Sequence, residues 1–228
     1  DIVITDDNFA SITKAILFGR TIFESIRKFI VFQLIMNLSA VGVSMLGPLF
    51  HIPNPVTVIQ MLWVNIIMDT LGSLAFAGEA PLAEYMTRPP IARNEPILNG
   101  KMLRQILFSA AYTIALCMAF LTSDHIWYRY GHGSMVYFLT AFFALFIFCG
   151  ICNAFTVRTT RMNLLANLRK NKCFLIIMPA VAIIQLLIIY FGGDIFRTTP
   201  LQIRELFICA GFAMSIIPLD AVRKWIWR

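Results

Sequence analysis

Six long apolar runs set the pattern of the chain, at about 29–50, 56–78, 105–122, 135–157, 173–191 and 205–222. Each is close to the roughly 20 residues that a helix needs to cross about 30 Å of hydrocarbon. Barrel strands would be shorter and would alternate polar with apolar side chains, so the pattern predicts an all-α fold, a six-helix transmembrane bundle. Ahead of the first run, residues 13–28 read as an amphipathic, basic helix that enters the membrane unbroken, since Gly19 alone only weakens it. Asp7 or Asn8 offers the N-cap. The β-like Ile2-Val3-Ile4 before it has nothing in the chain to pair with.

Polar residues inside these runs demand an explanation. Asp69 stands in the second run, where an ionised carboxylate costs about 2.5–3.5 kcal/mol on insertion scales and is tolerated mainly beside a partner, water or a cation. Asn65 precedes it by one helical i,i+4 step, which puts both on one face of an α-helix. Carboxylate and amide oxygens suit a hard cation such as Ca²⁺, which takes about six to eight of them, more than this helix can supply. The first run holds Asn37. The short Pro-rich loop His51-Ile52-Pro53-Asn54-Pro55 makes the first two runs an antiparallel pair, so Asn37 can approach Asn65 and Asp69. Interhelical hydrogen bonding is the alternative role for Asn65 and Asp69.

Composition agrees with a membrane protein. Of 228 residues, 59% are hydrophobic and 14% charged, and the mean hydropathy is +0.76, too apolar for a soluble domain. The net charge of +7 reports topology: every Lys and Arg except Arg129, Arg197 and Arg204 flanks one side of the predicted spans. The positive-inside rule then puts both termini in the cytoplasm, and nothing in this distribution suggests nucleic acid. Five cysteines lie in or beside the spans, which argues against a secreted disulfide framework. Cys149 and Cys152 have the spacing of a redox motif, but within a membrane helix they read as packing groups. The acidic N-terminus lacks the basic region and apolar core of a secretory signal, and the three His are too scattered for a transition-metal site.

The stretch Trp63-Val64-Asn65-Ile66-Ile67-Met68-Asp69-Thr70 resembles the sixth transmembrane helix of type II P-type ATPases. Met68 before Asp-Thr is similar to the plasma-membrane-type calcium-transporting ATPases, where the reticulum branch usually has Thr. Ile4-Thr5-Asp6-Asp7-Asn8-Phe9 resembles the end of their phosphorylation domain. Glu79-Ala80-Pro81, Arg88-Pro89 and Arg93-Asn94-Glu95-Pro96-Ile97 resemble the loop after the sixth helix, and Gly150-Ile151-Cys152-Asn153-Ala154-Phe155 the end of the eighth. Phe191-Gly192-Gly193 and Thr199-Pro200-Leu201 are again similar to the plasma-membrane branch.

The resemblance implies the C-terminal membrane half of such a pump. Residues 1–12 would close the phosphorylation domain, 13–28 form a cytoplasmic stalk helix, and 29–228 hold helices five to ten. The basic 13–28 helix has a second reading, as a binder of anionic lipid through Lys14, Arg20, Arg27 and Lys28. By the same likeness Asn65 and Asp69 match calcium ligands and Asn37 aligns with a calcium-site Asn, while Ala40 and Gly150 stand where the reticulum branch has Glu ligands. One transported Ca²⁺ per cycle is then expected. The arginines of the 79–104 loop dock the phosphorylation domain or simply set topology.

The sequence contains no Asp-Lys-Thr-Gly, so no residue here is expected to be catalytic or to bind a cofactor. ATP and Mg²⁺ would act only through an N-terminal part, and the chain alone should be inactive. The expected partners are the lipid bilayer and the N-terminal half of the pump. No C-terminal calmodulin-binding region is expected, because only residues 223–228 follow the last run. The expected location is the plasma membrane. A pump for Mn²⁺ or Na⁺/K⁺, and a freestanding channel or structural subunit, are the rival readings.

Overall fold

Asn8 opens the first helix by accepting a hydrogen bond from the Ala10 amide at 2.9 Å, which satisfies one of the N–H groups a helix start leaves unpaired. The computed structural model describes residues 8–226 apart from 53, 88, 91–95 and 131–132, and only the backbone of Met68, Asp69, Arg129 and Tyr130. The β-like run and turn at 1–7, Pro53, Arg88, the 93–95 motif, His132 and Arg228 therefore lie outside the described residues. From Phe9 to Leu46 the chain is one α-helix of 38 residues (α1), about 57 Å long at 1.5 Å per residue. The expected stalk and first span are thus one uninterrupted rod, and it takes in residues 9–12 as well.

A 3₁₀ turn at Gly47–Phe50 and the left-handed residues His51 and Asn54, with φ of 61° and 52°, reverse the chain. Thr57 and Gln60 then form a reciprocal capping box, amide to side chain at 2.9 and 3.2 Å. It starts α2 (Val58–Ile66). A π-helical segment, Ile67–Gly72, follows, and α3 (Ser73–Ala77) completes the crossing.

α4 (Gly100–Thr122) starts ahead of its apolar run because Asn99 caps it, accepting from the Met102 amide at 2.9 Å. The short α5 (Asp124–Tyr130), which the hydrophobic pattern did not foresee, leads to α6 (Met135–Arg158). Next come α7 (Lys172–Phe191), with Pro179 inside it, and the single turn α8 (Gly193–Phe196). The last expected span is two helices, α9 (Ile203–Met214) and α10 (Ile216–Ile226). Pro218 explains the division at Ser215, since its ring nitrogen cannot donate to Met214 and its ring crowds that carbonyl.

Counting α2–α3 and α9–α10 as one crossing each, six helices among the described residues are long and apolar enough to span a membrane. α6 is the central post, packed against α1, α4, α7, α9 and α10. Phe138, Phe142, Phe143 and Phe146 are all buried on it, as expected of a helix apolar on every side. α1 and α4 approach so closely that a Cβ on Gly42 would lie 2.4 Å from Cδ1 of Ile114. Leu34, Val41, Met45, Ile176, Ile183 and Phe207 point outward and are exposed, as the lipid face requires. Cys149 and Cys152 are free thiols on α6, consistent with packing.

Charges cluster at one end of the bundle and tie its elements together. Lys28 pairs with Glu79 at 2.5 Å, and Arg20 donates to the Tyr85 carbonyl at 2.6 Å. Arg158 donates to the carbonyls of Leu164 and Ala166 at 2.6 and 2.8 Å and lies over the Phe174 ring. Asp220 receives Arg223 and Lys224 at 2.7 and 2.6 Å, and Lys224 also reaches the Thr156 carbonyl at 3.1 Å.

Candidate ion site at the helix break

The second crossing changes its hydrogen bonding at Ile67, from i→i+4 to the i→i+5 pattern of a π-helix, and returns to α at Ser73. Local chemistry favours the change. The Thr70 hydroxyl donates to the Ile66 carbonyl, the acceptor its own amide would use in an α-helix. Gly72 admits the Phe32 ring, whose Cε1 is 3.1 Å from where a Cβ would stand. Such single π turns are frequent at functional sites.

Asp69 belongs to this segment by its backbone, while its side chain lies outside the described residues. The α-helical i,i+4 spacing expected between Asn65 and Asp69 does not carry across the break, because the wider turn begins between them. Asn65 is half-buried on α2, just before the change.

Two contacts fix the register of α1 against this crossing: the Lys28–Glu79 pair, and Phe32 against Phe76 with ring centroids 5.6 Å apart. Following the two antiparallel helices inward from these anchors brings the half-buried Asn37 level with the π segment, and Asn65 about one turn beyond it. Neither carboxamide hydrogen-bonds to another described residue. Ala40 is buried one turn further along α1, and Gly150 is buried in α6, so neither position offers a ligand atom on its side chain.

α7 lies on the other flank. Asn171 donates to the Ala75 carbonyl at 3.1 Å, and a Cβ on Gly78 would lie 2.5 Å from Cβ of Cys173. At the far end Gln60 donates to the Phe196 carbonyl at 2.8 Å, and the Trp63 and Phe196 rings meet edge to face. α1 and α7 both pack against the π segment.

The arrangement can present a few neutral amide oxygens beside a widened stretch of backbone that includes Asp69. Among the described residues, no group of three or more His, Cys, Asp or Glu could hold a metal ion. From the described residues, a cation here would draw on carboxamides and backbone beside Asp69. Two buried carboxamides escaped the reading from sequence. Asn153 on α6 donates to Thr113 Oγ1 at 3.1 Å and leaves its Oδ1 unpaired, and Gln185 on α7 is fully buried. Their signal was the same as that of Asn37: a carboxamide inside an apolar run.

Comparison with known proteins gives the fold a lineage. Residues 53–226 match the family model described as cation transporting ATPase, C-terminus. The chain is 35% identical to calcium-transporting ATPase 8, plasma membrane-type, of Arabidopsis thaliana, over 99% of this chain and 22% of that protein. It is 34% identical to plasma membrane calcium-transporting ATPase mca-1 of Caenorhabditis elegans (95% of this chain, 18% of that protein). It is also 34% identical to plasma membrane calcium-transporting ATPase 1 of Mus musculus (90% and 18%). The chain spans about a fifth of the length of these relatives. With three quarters of its length in the family model, and with the broken crossing and apolar bundle just described, the chain belongs to the cation-transporting ATPase C-terminal family.

Proposed function

We propose that this chain is the ion-binding C-terminal membrane segment of a P-type pump that uses ATP to move Ca²⁺ out of the cytosol across the plasma membrane. The observation that carries the proposal is the π-helical break holding Asp69, with Asn37 level with it and Asn65 one turn away, in a chain similar to calcium-transporting ATPases. Asp69 supplies the charge, and Asn65 and Asn37 supply neutral oxygens. The remaining ligands toward six to eight come from water, backbone and the rest of the pump. ATP and Mg²⁺ chemistry belongs to that remainder, and this segment alone does not hydrolyse ATP. The basic end of the bundle faces the cytoplasm with both termini, and residues 9–28 form the stalk.

The test is Asp69→Asn in the complete pump. Ca²⁺-dependent ATP hydrolysis and uptake should be lost while insertion and the number of crossings stay intact, because removing the charge makes insertion easier. Uptake that survives the substitution at its wild-type calcium dependence rejects the assignment.

A further inference from the structure

Gln185 is fully buried in α7, and both ends of its carboxamide, Oε1 and Nε2, are without a hydrogen-bond partner. Buried side-chain polar groups are nearly always paired, so a group with every bond unmade points to a partner outside the described protein atoms. Location supplies the identity of that partner. Phe174, Met178, Val181, Gln185 and Ile188 are buried at alternating four- and three-residue steps, so they share one stripe of α7. Phe174 at the start of the stripe touches Phe76 of α3 and Phe155 of α6, with centroids at 6.0 and 4.9 Å. Gln185, three turns on, therefore faces the same interior. The Gly78–Cys173 approach, the Asn171–Ala75 bond and the Gln60–Phe196 bond set the register of α7 against the second crossing, and Gln185 falls level with the turn around Asn65, at the edge of the Ile67–Gly72 segment. Asn37, on the opposite flank, lies about one turn away, level with the π segment.

We propose that Gln185 holds water that completes the coordination of the cation at the π segment. A bare cation would satisfy Oε1 alone and leave the amide N–H groups unpaired. Water satisfies both ends, since it donates to Oε1 and accepts from Nε2, and a cation with few side-chain ligands keeps water in its shell. The site is then flanked by Asn37 on α1, level with the π segment, and by Gln185 on α7, one turn along toward Asn65. This inference rests on the proposed ion site and adds a residue to it.

The experiment measures Ca²⁺-dependent ATP hydrolysis of the complete pump, wild type against Gln185→Leu, Gln185→Met and Gln185→Glu, with Asp69→Asn alongside. Half-saturating Ca²⁺ should rise about tenfold or more in the Leu and Met variants, the loss typical of removing a group that supports a metal's ligands. Excess Ca²⁺ should restore their turnover, and Gln185→Glu, which keeps an acceptor oxygen, should stay within a few-fold of wild type. If Gln185 only fills space, removing both unpaired polar atoms leaves the calcium dependence unchanged and raises thermal stability, and that result overturns the inference. Retention of the Leu or the Met variant in folded form suffices for the test. Wild-type behaviour of Asp69→Asn rejects the ion site itself and the inference with it. Loss at Asp69 with an unmoved Gln185→Leu and Gln185→Met rejects the inference alone.

Discussion

At Asn37, Asn65 and Gln185 a neutral carboxamide does what a carboxylate could do only at a higher insertion cost. It brings an oxygen into the apolar interior without adding charge. In the proposed site Asp69 supplies the charge, and the sequence drew attention to it because one acidic residue in an apolar run has few innocent explanations. Asn37 and Asn65 stood out by the same contrast. Gln185 has the same signal, but nothing in the spacing of the fifth apolar run shows that its stripe faces the helix break. That depends on the Asn171 and Gln60 anchors, which exist only after folding.

Two further substitutions test packing at single residues. Gly78→Ala places a Cβ 2.5 Å from that of Cys173, and neither atom is the tip of a flexible side chain. The start of α7 must shift, at about 1–3 kcal/mol by the usual cost of overpacking, and a lowered thermal midpoint of the detergent-solubilised pump would register it. Arg158→Ala frees the carbonyls of Leu164 and Ala166 from a charged donor. Losing two such bonds should cost about 3 kcal/mol, seen as faster proteolysis within 159–171.

Among the elements, crossings were legible and breaks within them were not. Twenty apolar residues announce a span regardless of how its backbone is bonded, so the six runs matched the helices to within a few residues at most ends. The change at Ile67 has no such signature, because its causes are one hydroxyl back-bond and one glycine beneath a ring. The division at Ser215 could have been read from Pro218, had the apolar run not masked it. The π segment makes its own prediction. Thr70→Val keeps the β-branched shape and removes the hydroxyl, so Ile66 O becomes free for the amide of residue 70. Residues 67–72 should shift toward α-helical bonding, which turns Asp69 about the axis. The expected readout is slower amide exchange in this segment together with several-fold weaker activation by Ca²⁺, the loss that comes from disturbing the support of a ligand.

For the molecule as a whole, the ligand inventory bears on stoichiometry. Ala40 and Gly150 provide no carboxylate, so beside Asp69 this segment offers a second divalent ion no further charge to balance it in a low-dielectric interior. The complete pump should therefore move about one Ca²⁺ per ATP. Transport and hydrolysis measured together in proteoliposomes decide this, and a ratio near two rejects it.

The unbroken α1 has a mechanical consequence. Its ties to the neighbouring loop, Lys28 to Glu79 and Arg20 to Tyr85, lie part-way along the rod and can serve as a fulcrum. Taking Lys28 as the pivot, the arm out to Phe9 is about 28 Å and the arm in to Asn37 about 14 Å at 1.5 Å per residue. Such a beam is geared two to one. With the Arg20–Tyr85 tie released, a sideways push at the outer end would reach Asn37 with half the travel, twice the force and the opposite direction.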